Sequence, residues 1–410
     1  MTSTLILWII VAILVASFLF DQVLAYLNFR NHSREVPAPL AGQLDAGQNA
    51  KALDYHAVNY RFGLLSGTVS FGVLLLVLLS GGFGWLDAQL RGLTSHPVGL
   101  PLLFFGLLFV LSDLASLPFQ VYRTFVIEQK FGFNKMTPGL FVADKLKSYA
   151  LTAVMGGLVL GALVALIHAL GSGFWLWFWA FITLFLLFTQ IFYTSLILPL
   201  FNKLTPLEGG ELRHRIEDYS RKVGFPLDNV FVIDGSRRST KSNAFFSGLG
   251  RRKKVVLYDT LIKNHGQDEL VAVLAHEVGH YKKHHIKWGL ALSIVQTGLM
   301  LFILSRIISS DLLWASLGGA VYGIHLNLIA FGLLYSPLSM VLGLLMNLFS
   351  RKHEYEADHY AATTFGAAPL REALIRLHGD NLSNLTPHPL YVFINYSHPP
   401  LLARLAALEG

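Results

Sequence analysis

The sequence predicts a mainly α, polytopic membrane protein: seven transmembrane helices joined to a cytoplasmic-side polar domain that contains a small β-hairpin or sheet. Three observations predict it. Of the 410 residues, 53% are hydrophobic and only 14% charged, against roughly 25% charged in a soluble domain. Seven stretches are apolar over the about 20 residues a helix needs to cross a bilayer. Two polar regions remain outside them, and one holds His276-Glu277-Val278-Gly279-His280. On a helix that pentapeptide sets two imidazoles one turn apart on one face, beside a carboxylate.

The spans fall near residues 5–27, 63–83, 98–117, 149–170, 174–201, 288–308 and 326–349. The third contains Asp113, and the seventh contains Asn327 and Pro337. The first lacks the basic flank and small-residue cleavage site of a signal peptide, so it is expected to stay as a span. Of the 32 Lys and Arg, 30 lie in the segments after spans one, three, five and seven. Cytoplasmic loops carry the excess of basic residues, so this asymmetry puts the N-terminus outside and the C-terminus in the cytoplasm. The net charge of +7 follows from that topology and from attraction to anionic lipid, and requires no nucleic acid. No cysteine is present, which excludes disulfides, thiolate metal ligands and a Cys nucleophile. The expected organisation is a five-span region 1–201, a cytoplasmic segment 202–287, spans six and seven over 288–350, and a cytoplasmic segment 351–410.

Within 202–287, residues 213–223 have helical amphipathicity. Residues 230–234 and 254–258 read as short strands, with 242–246 a third candidate between them. Gly248-Leu249-Gly250 suits a hairpin turn. An exposed edge of such a sheet could take an extended peptide by main-chain hydrogen bonds; a purely structural sheet fits the pattern equally well. The helix bearing residues 276–280 opens on Asp268 and Glu269, runs through apolar residues 270–274 and meets no Pro. A surface helix can carry two His by chance, but this setting favours a zinc site, with Glu277 able to take a proton from water. A catalytic zinc needs a third protein ligand. Directly after span seven, Arg351-Lys352-His353-Glu354-Tyr355-Glu356-Ala357-Asp358 puts Glu354 and Asp358 on one helical face and Glu356 elsewhere. One of the two carboxylates can bind metal while the other accepts the ring N–H of a ligating His. A charged helix with Arg351 and Lys352 anchoring the interface is the competing expectation.

The sequence resembles the type I CAAX prenyl endopeptidases, integral-membrane zinc metalloproteases of the gluzincin class. The likeness rests on separated blocks in the family's order. They are Thr124-Phe125-Val126-Ile127-Glu128 with Lys130-Phe131-Gly132-Phe133-Asn134-Lys135, then Ser242-Asn243-Ala244-Phe245 and His276–His280, then Glu354-Tyr355-Glu356-Ala357-Asp358 and Tyr396-Ser397-His398-Pro399-Pro400-Leu401-Leu402-Ala403-Arg404. It runs from about span one to the C-terminus. The resemblance implies one zinc per chain held by His276, His280 and Glu354, with Glu277 as general base and acid and Asp358 orienting a ligand. It implies that Asn243, with Ala244 and Phe245, holds the substrate backbone, and that His398 and Arg404 lie near the scissile carbonyl. Without it, His398 is only the residue ahead of a helix started by Pro399-Pro400. His284 and His285 are expected beside the site rather than on the metal, because a fourth imidazole would close it. Family members enclose an intramembrane chamber within seven helices. Asp113, His325 and Asn327 suit a wet lining as well as they suit packing between helices.

The implied activity is hydrolysis of peptide bonds in peptide or protein substrates, prenylated or membrane-associated, with release of the C-terminal tripeptide of C-a-a-X peptides. The compact chain, whose last residues carry no dilysine-type signal, points to a bacterial inner membrane; a eukaryotic chain would belong in the endoplasmic reticulum membrane. One alternative is a quality-control zinc protease of the heat-shock membrane type, which has fewer spans. A different class is a transporter or channel with a structural metal, disfavoured because structural zinc prefers a closed site with thiolates.

Overall fold

In this computed structural model the chain is described over residues 2–225, 230–247 and 254–409. The N-terminal half is built from α1 (Ser3–Arg30), α2 (Ala46–Leu79), α3 (Gly82–Arg91), α4 (Gly99–Tyr122), α5 (Pro138–Leu170), α6 (Phe174–Phe192) and α7 (Leu198–Phe201). A π-helical turn, Arg123–Glu128, continues α4. Thr2, Asp45 and Thr137 each accept a first-turn amide with a side-chain oxygen, the local chemistry that starts a helix. Within the apolar runs the helix satisfies every internal amide by itself, which is the condition for lying in lipid.

Among the described residues, six helical stretches are long and apolar enough to cross a membrane: Ser3–Arg30, Ala46–Leu79, Gly99–Glu128, Pro138–Phe201, His285–Ile307 and Ile324–Thr364. Hydropathy predicted seven spans, and the fourth and fifth fall together in the 64-residue stretch Pro138–Phe201. That stretch is folded on itself. A tight 3-10 turn at Gly171–Gly173 joins α5 to α6, and Gly171 adopts φ +54°, which a residue without Cβ takes freely.

The polar domain follows with β1 (Leu204–Pro206), α8 (Glu211–Lys222), β2 (Val230–Ile233), β3 (Ala244–Ser247), β4 (Lys254–Tyr258), α9 (Asp259–Asn264) and α10 (Gln267–Lys282). Its sheet has the order β1-β2-β4-β3, with β2 and β4 parallel and the other pairs antiparallel. The three strands expected from sequence are present, the third shifted to Ala244–Ser247; β1 is an addition. The expected hairpin turn at 248–250 lies outside the described residues. The chain then passes through α11 (His285–Ile307), α12 (Asp311–Ser316), α13 (Ile324–Thr364), α14 (Ala367–Asp380), α15 (Pro389–Asn395) and α16 (Leu401–Glu409). α13 is a single helix of 41 residues, about 62 Å long at 1.5 Å per residue. It is both the last span and the wall of the polar domain. There Leu270, Val271, Leu274, Ala275 and Val278 of α10 form one core with Val255 and Leu257 of β4, Ala361 of α13 and Leu370 and Leu374 of α14.

Between α10 and span six the chain turns at His284, whose φ is +61°, and α11 begins at His285. Of the two readings open for His325 and Asn327, packing between helices is the one observed. Both are fully buried; His325 Nε2 lies 2.7 Å from Asp87 Oδ1, and the Asn327 amide donates to the Ile308 and Ser310 carbonyls. They tie the start of α13 to its neighbours, because a polar group in an apolar bundle has to find a partner. Asp113 differs: it accepts from Lys145, Tyr149 and Gln120 and borders a cavity of about 520 Å³ between α4 and α5.

Candidate active site

The polar side chains singled out in the sequence meet where α10 crosses α13. The two helices approach closely because Gly279 faces Ala357. A Cβ at 279 would stand 3.0 Å from the Ala357 Cα and 3.1 Å from its carbonyl oxygen, inside the ~3.5–4.0 Å of ordinary carbon contact. His276 Nε2 and His280 Nε2 are 3.1 Å apart. Glu354 reaches both, with Oε2 at 3.5 Å from His276 Nε2 and Oε1 at 3.2 Å from His280 Nε2.

This donor set fits a divalent cation. His276 Nδ1 lies 2.8 Å from Asp358 Oδ1. A carboxylate cannot donate, so the proton sits on Nδ1 and Nε2 presents its lone pair. Glu354 Oε2 is buried and makes no hydrogen bond among the described residues. Acceptor atoms aimed at one another in a buried site are costly unless a cation lies among them. Two imidazole nitrogens and a carboxylate oxygen without thiolate form the ligand type of a catalytic rather than a structural metal. The electrostatics agree. Burial alone would raise the Glu354 carboxyl, but His276 and His280 hold it well below its ordinary range. Burial opposes charge on His276, yet Asp358 and Glu354 lift it to about 9, so the carboxylates favour a positive charge at Nε2, whether a proton or a metal ion.

Around the three lie the remaining predicted residues. Asp358 is buried between His276 and Arg404, accepting 2.7 and 2.6 Å bonds from Arg404 Nε and Nη2. Arg404 is itself buried, and its Nη1 stays 3.6 Å from Glu354 Oε2. Glu277 sits on α10 between the two His, where burial pushes its carboxyl up from the ordinary Glu range against the pull of His276 and His280. His398 is on the open side: its side chain is 65% exposed, with Nε2 3.5 Å from Glu354 Oε1. Asn243 is exposed and immediately precedes β3. Ala244 and Phe245 belong to that strand, which is at the sheet edge and packs beside α10.

Four supporting contacts went unread in the sequence. Lys241 Nζ donates to Glu128 Oε2 at 2.9 Å and to the Tyr55 hydroxyl at 3.0 Å, and Tyr55 donates to Glu128 Oε1 at 2.6 Å. Asn381 closes a two-bond ring on the Ser242 backbone, at 3.1 and 3.2 Å. Both fix the approach to β3. Arg351, expected as an interfacial anchor, donates instead to the Val392, Phe393 and Tyr396 carbonyls. It caps the end of α15 and so ties Tyr396-Ser397-His398 to the helix of Glu354. Finally, His280 Nδ1 lies 3.0 Å from His285 Nδ1, and His285 Nε2 lies 2.9 Å from Glu356 Oε2. Glu128, Ser242, Glu356 and Tyr396 lie in blocks that the sequence singles out, and His285 is expected from it beside the site; Tyr55, Lys241 and Asn381 give no such signal.

Known proteins share this architecture. Residues 25–203 match the family described as CAAX prenyl protease N-terminal, five membrane helices, and residues 206–410 match peptidase family M48. The chain is 38% identical over 390 residues to a probable CAAX prenyl protease 1 of Schizosaccharomyces pombe, covering 91% of this chain and 82% of that protein. It is 35% identical to CAAX prenyl protease 1 of Saccharomyces cerevisiae, covering 96% and 93%. It is 32% identical to the CAAX prenyl protease 1 homolog of Homo sapiens, again covering 96% and 93%. The crystal structure of S. mikatae Ste24p superposes with a TM-score of 0.93 at 34% identity, over 99% of both chains.

Proposed function

Because the chain belongs to peptidase family M48 and is with it a multi-pass membrane metalloendopeptidase, we propose that it is a zinc enzyme that releases the C-terminal tripeptide from prenylated C-a-a-X peptides. The observation that carries this is the convergence of His276, His280 and Glu354 beside Glu277, where α10 meets α13, the helix that continues the last span. Relatives of matching length bear the name CAAX prenyl protease 1, which supports the substrate class. The relatives named are eukaryotic, so the enzyme class does not depend on a bacterial source. The basic residues support an N-terminus outside and the active site on the cytoplasmic side.

Bound zinc supplies Lewis acidity, activating water near neutral pH and polarising the scissile carbonyl. The protein supplies the rest. The free edge of β3 takes the substrate backbone as an added strand, with Asn243 at its start. Glu277 accepts the proton of the attacking water and returns it to the leaving amine, so one carboxylate serves as base and then acid. Its raised affinity for protons suits both halves. His398, exposed and facing Glu354, donates to the oxygen on which negative charge develops, a contact typically worth about 2.7–4 kcal/mol. Arg404 balances the carboxylates and holds Asp358, which accepts from His276 Nδ1 and so keeps that ring in the tautomer that offers Nε2.

The test is a comparison of a farnesylated C-a-a-X peptide with its unprenylated counterpart, with and without a zinc chelator. Faster cleavage of the farnesylated peptide, abolished by the chelator and restored by zinc, is expected. Chelator-insensitive cleavage would overturn the zinc assignment. Equal rates on the two peptides would leave a membrane zinc protease of the quality-control kind.

A further inference from the structure

His276 and His280 are oriented by different devices, and the second one ends in a residue that the site has so far left without a role. His276 gives its Nδ1–H directly to Asp358. Among the described residues, His280 meets no carboxylate at its Nδ1. Its neighbour there is the Nδ1 of His285, 3.0 Å away, and His285 Nε2 lies 2.9 Å from Glu356 Oε2. The proton positions follow from the end of the chain. An ionised Glu356 can only accept, so His285 Nε2 carries the hydrogen. The neutral ring then has a lone pair on Nδ1, and the hydrogen in the 3.0 Å contact belongs to His280 Nδ1. That leaves His280 Nε2 bare and directed at Glu354 and His276.

The surroundings hold this relay in place. His285 is buried, 4% exposed at its side chain. Its ring stacks on His353 at 4.0 Å with an interplanar angle of 9°. The left-handed backbone at His284 turns the chain between α10 and α11, and His285 stands at the first position of α11, facing back to His280. Glu356, on the side of α13 away from the metal, reaches His285 from there.

We infer that His285 and Glu356 are positioning residues for the metal: through Glu356···His285···His280 they set the tautomer and ring orientation of the second imidazole ligand. This rests on His280 being a ligand. Such outer partners typically change metal affinity by about 10–100-fold.

The experiment measures the zinc Kd of the full-length protein by chelator competition, alongside its thermal midpoint. Glu356→Leu removes the acceptor at a partly exposed position and is expected to weaken zinc binding by about 10–100-fold with little change in the midpoint. Glu356→Gln keeps an acceptor for the His285 N–H and is expected to recover most of that loss, which a merely structural role would not predict. Lys352→Gln removes the other charged contact of Glu356, 3.8 Å away, and is expected to leave the Kd unchanged. His280→Ala separates the two assignments. If it loses zinc while Glu356→Leu binds normally, the relay is wrong and the ligand set stands. If it keeps zinc at wild-type affinity, the ligand set and the relay fall together. Equal weakening by Lys352→Gln and Glu356→Leu would replace the relay with a general charge effect and overturn it.

Discussion

Adding one methyl group at Gly279 asks whether the site depends on two helices touching backbone to backbone. In Gly279→Ala the new Cβ would meet Ala357 Cα at 3.0 Å and the Ala357 carbonyl oxygen at 3.1 Å. Neither is the yielding end of a side chain, so α10 and α13 must part by roughly 0.5–1 Å to restore ordinary contact. Overpacking of this kind costs about 1–3 kcal/mol, and the better helix propensity of Ala offsets about 1 kcal/mol. The fold therefore survives with a loss of about 0–2 kcal/mol. The site suffers more. Ala357 lies between Glu354 and Asp358, so its displacement carries both carboxylates away from imidazoles they now meet at 2.8–3.5 Å. A shift of about 1 Å in a reacting constellation is worth about 100-fold in rate. Zinc Kd by chelator competition, kcat/KM on a farnesylated peptide and the thermal midpoint together decide it. Expected are at least about tenfold weaker zinc binding, a roughly 100-fold lower kcat/KM and a modest fall in midpoint. A variant that binds zinc and cleaves like the wild type would refute the idea that the 279–357 contact sets the ligand spacing.

Glu277→Gln should lower kcat by at least about 100-fold and leave one zinc per chain; normal turnover by that variant would remove Glu277 from the proton transfers. Lys241→Met releases the clamp on Glu128 and Tyr55. Loss of charged hydrogen bonds worth about 1.5–3 kcal/mol should raise KM by roughly tenfold or more, with zinc content intact; an unchanged KM would separate the clamp from substrate binding. Stability should fall with acid below neutrality. Burial lowers His378 and His32 from 6.5 to about 4 each, so the unfolded chain binds protons more readily than the folded one between these values. The contribution of these two imidazoles is then full above about pH 6.5 and declines toward pH 4, by about 1.4 kcal/mol per unit for largely buried His378 and by less for half-exposed His32, which solvent screens. Thermal midpoints measured across that range should fall less steeply for His378→Gln; an identical slope would show that His378 is not the group responsible.

By itself the sequence determined what is written in short windows. Apolar runs long enough for a bilayer, the i,i+4 spacing of His276 and His280 and the short apolar patches of β2 and β4 are local properties. Their physics acts within a few turns of chain, so they can be read without the fold. Tertiary structure decided everything that needed two distant segments to meet. Glu354 lies 74 positions beyond His280, and its closeness to the imidazoles comes from Gly279 and Ala357 letting α10 lie against α13. The same crossing gives Asp358 to His276 Nδ1 rather than to the metal face. The break at His284 turns His285 back toward His280, where a continuous helix would have carried it away. His325 and Asn327, polar residues in an apolar run, could equally have faced water; packing against Asp87 and the Ile308 carbonyl settled it. Hydrophobic pattern and spacing specify which face of a helix is buried. Which atoms then face each other depends on the packing distance and rotation of whole helices, and these are set by contacts that no single window contains.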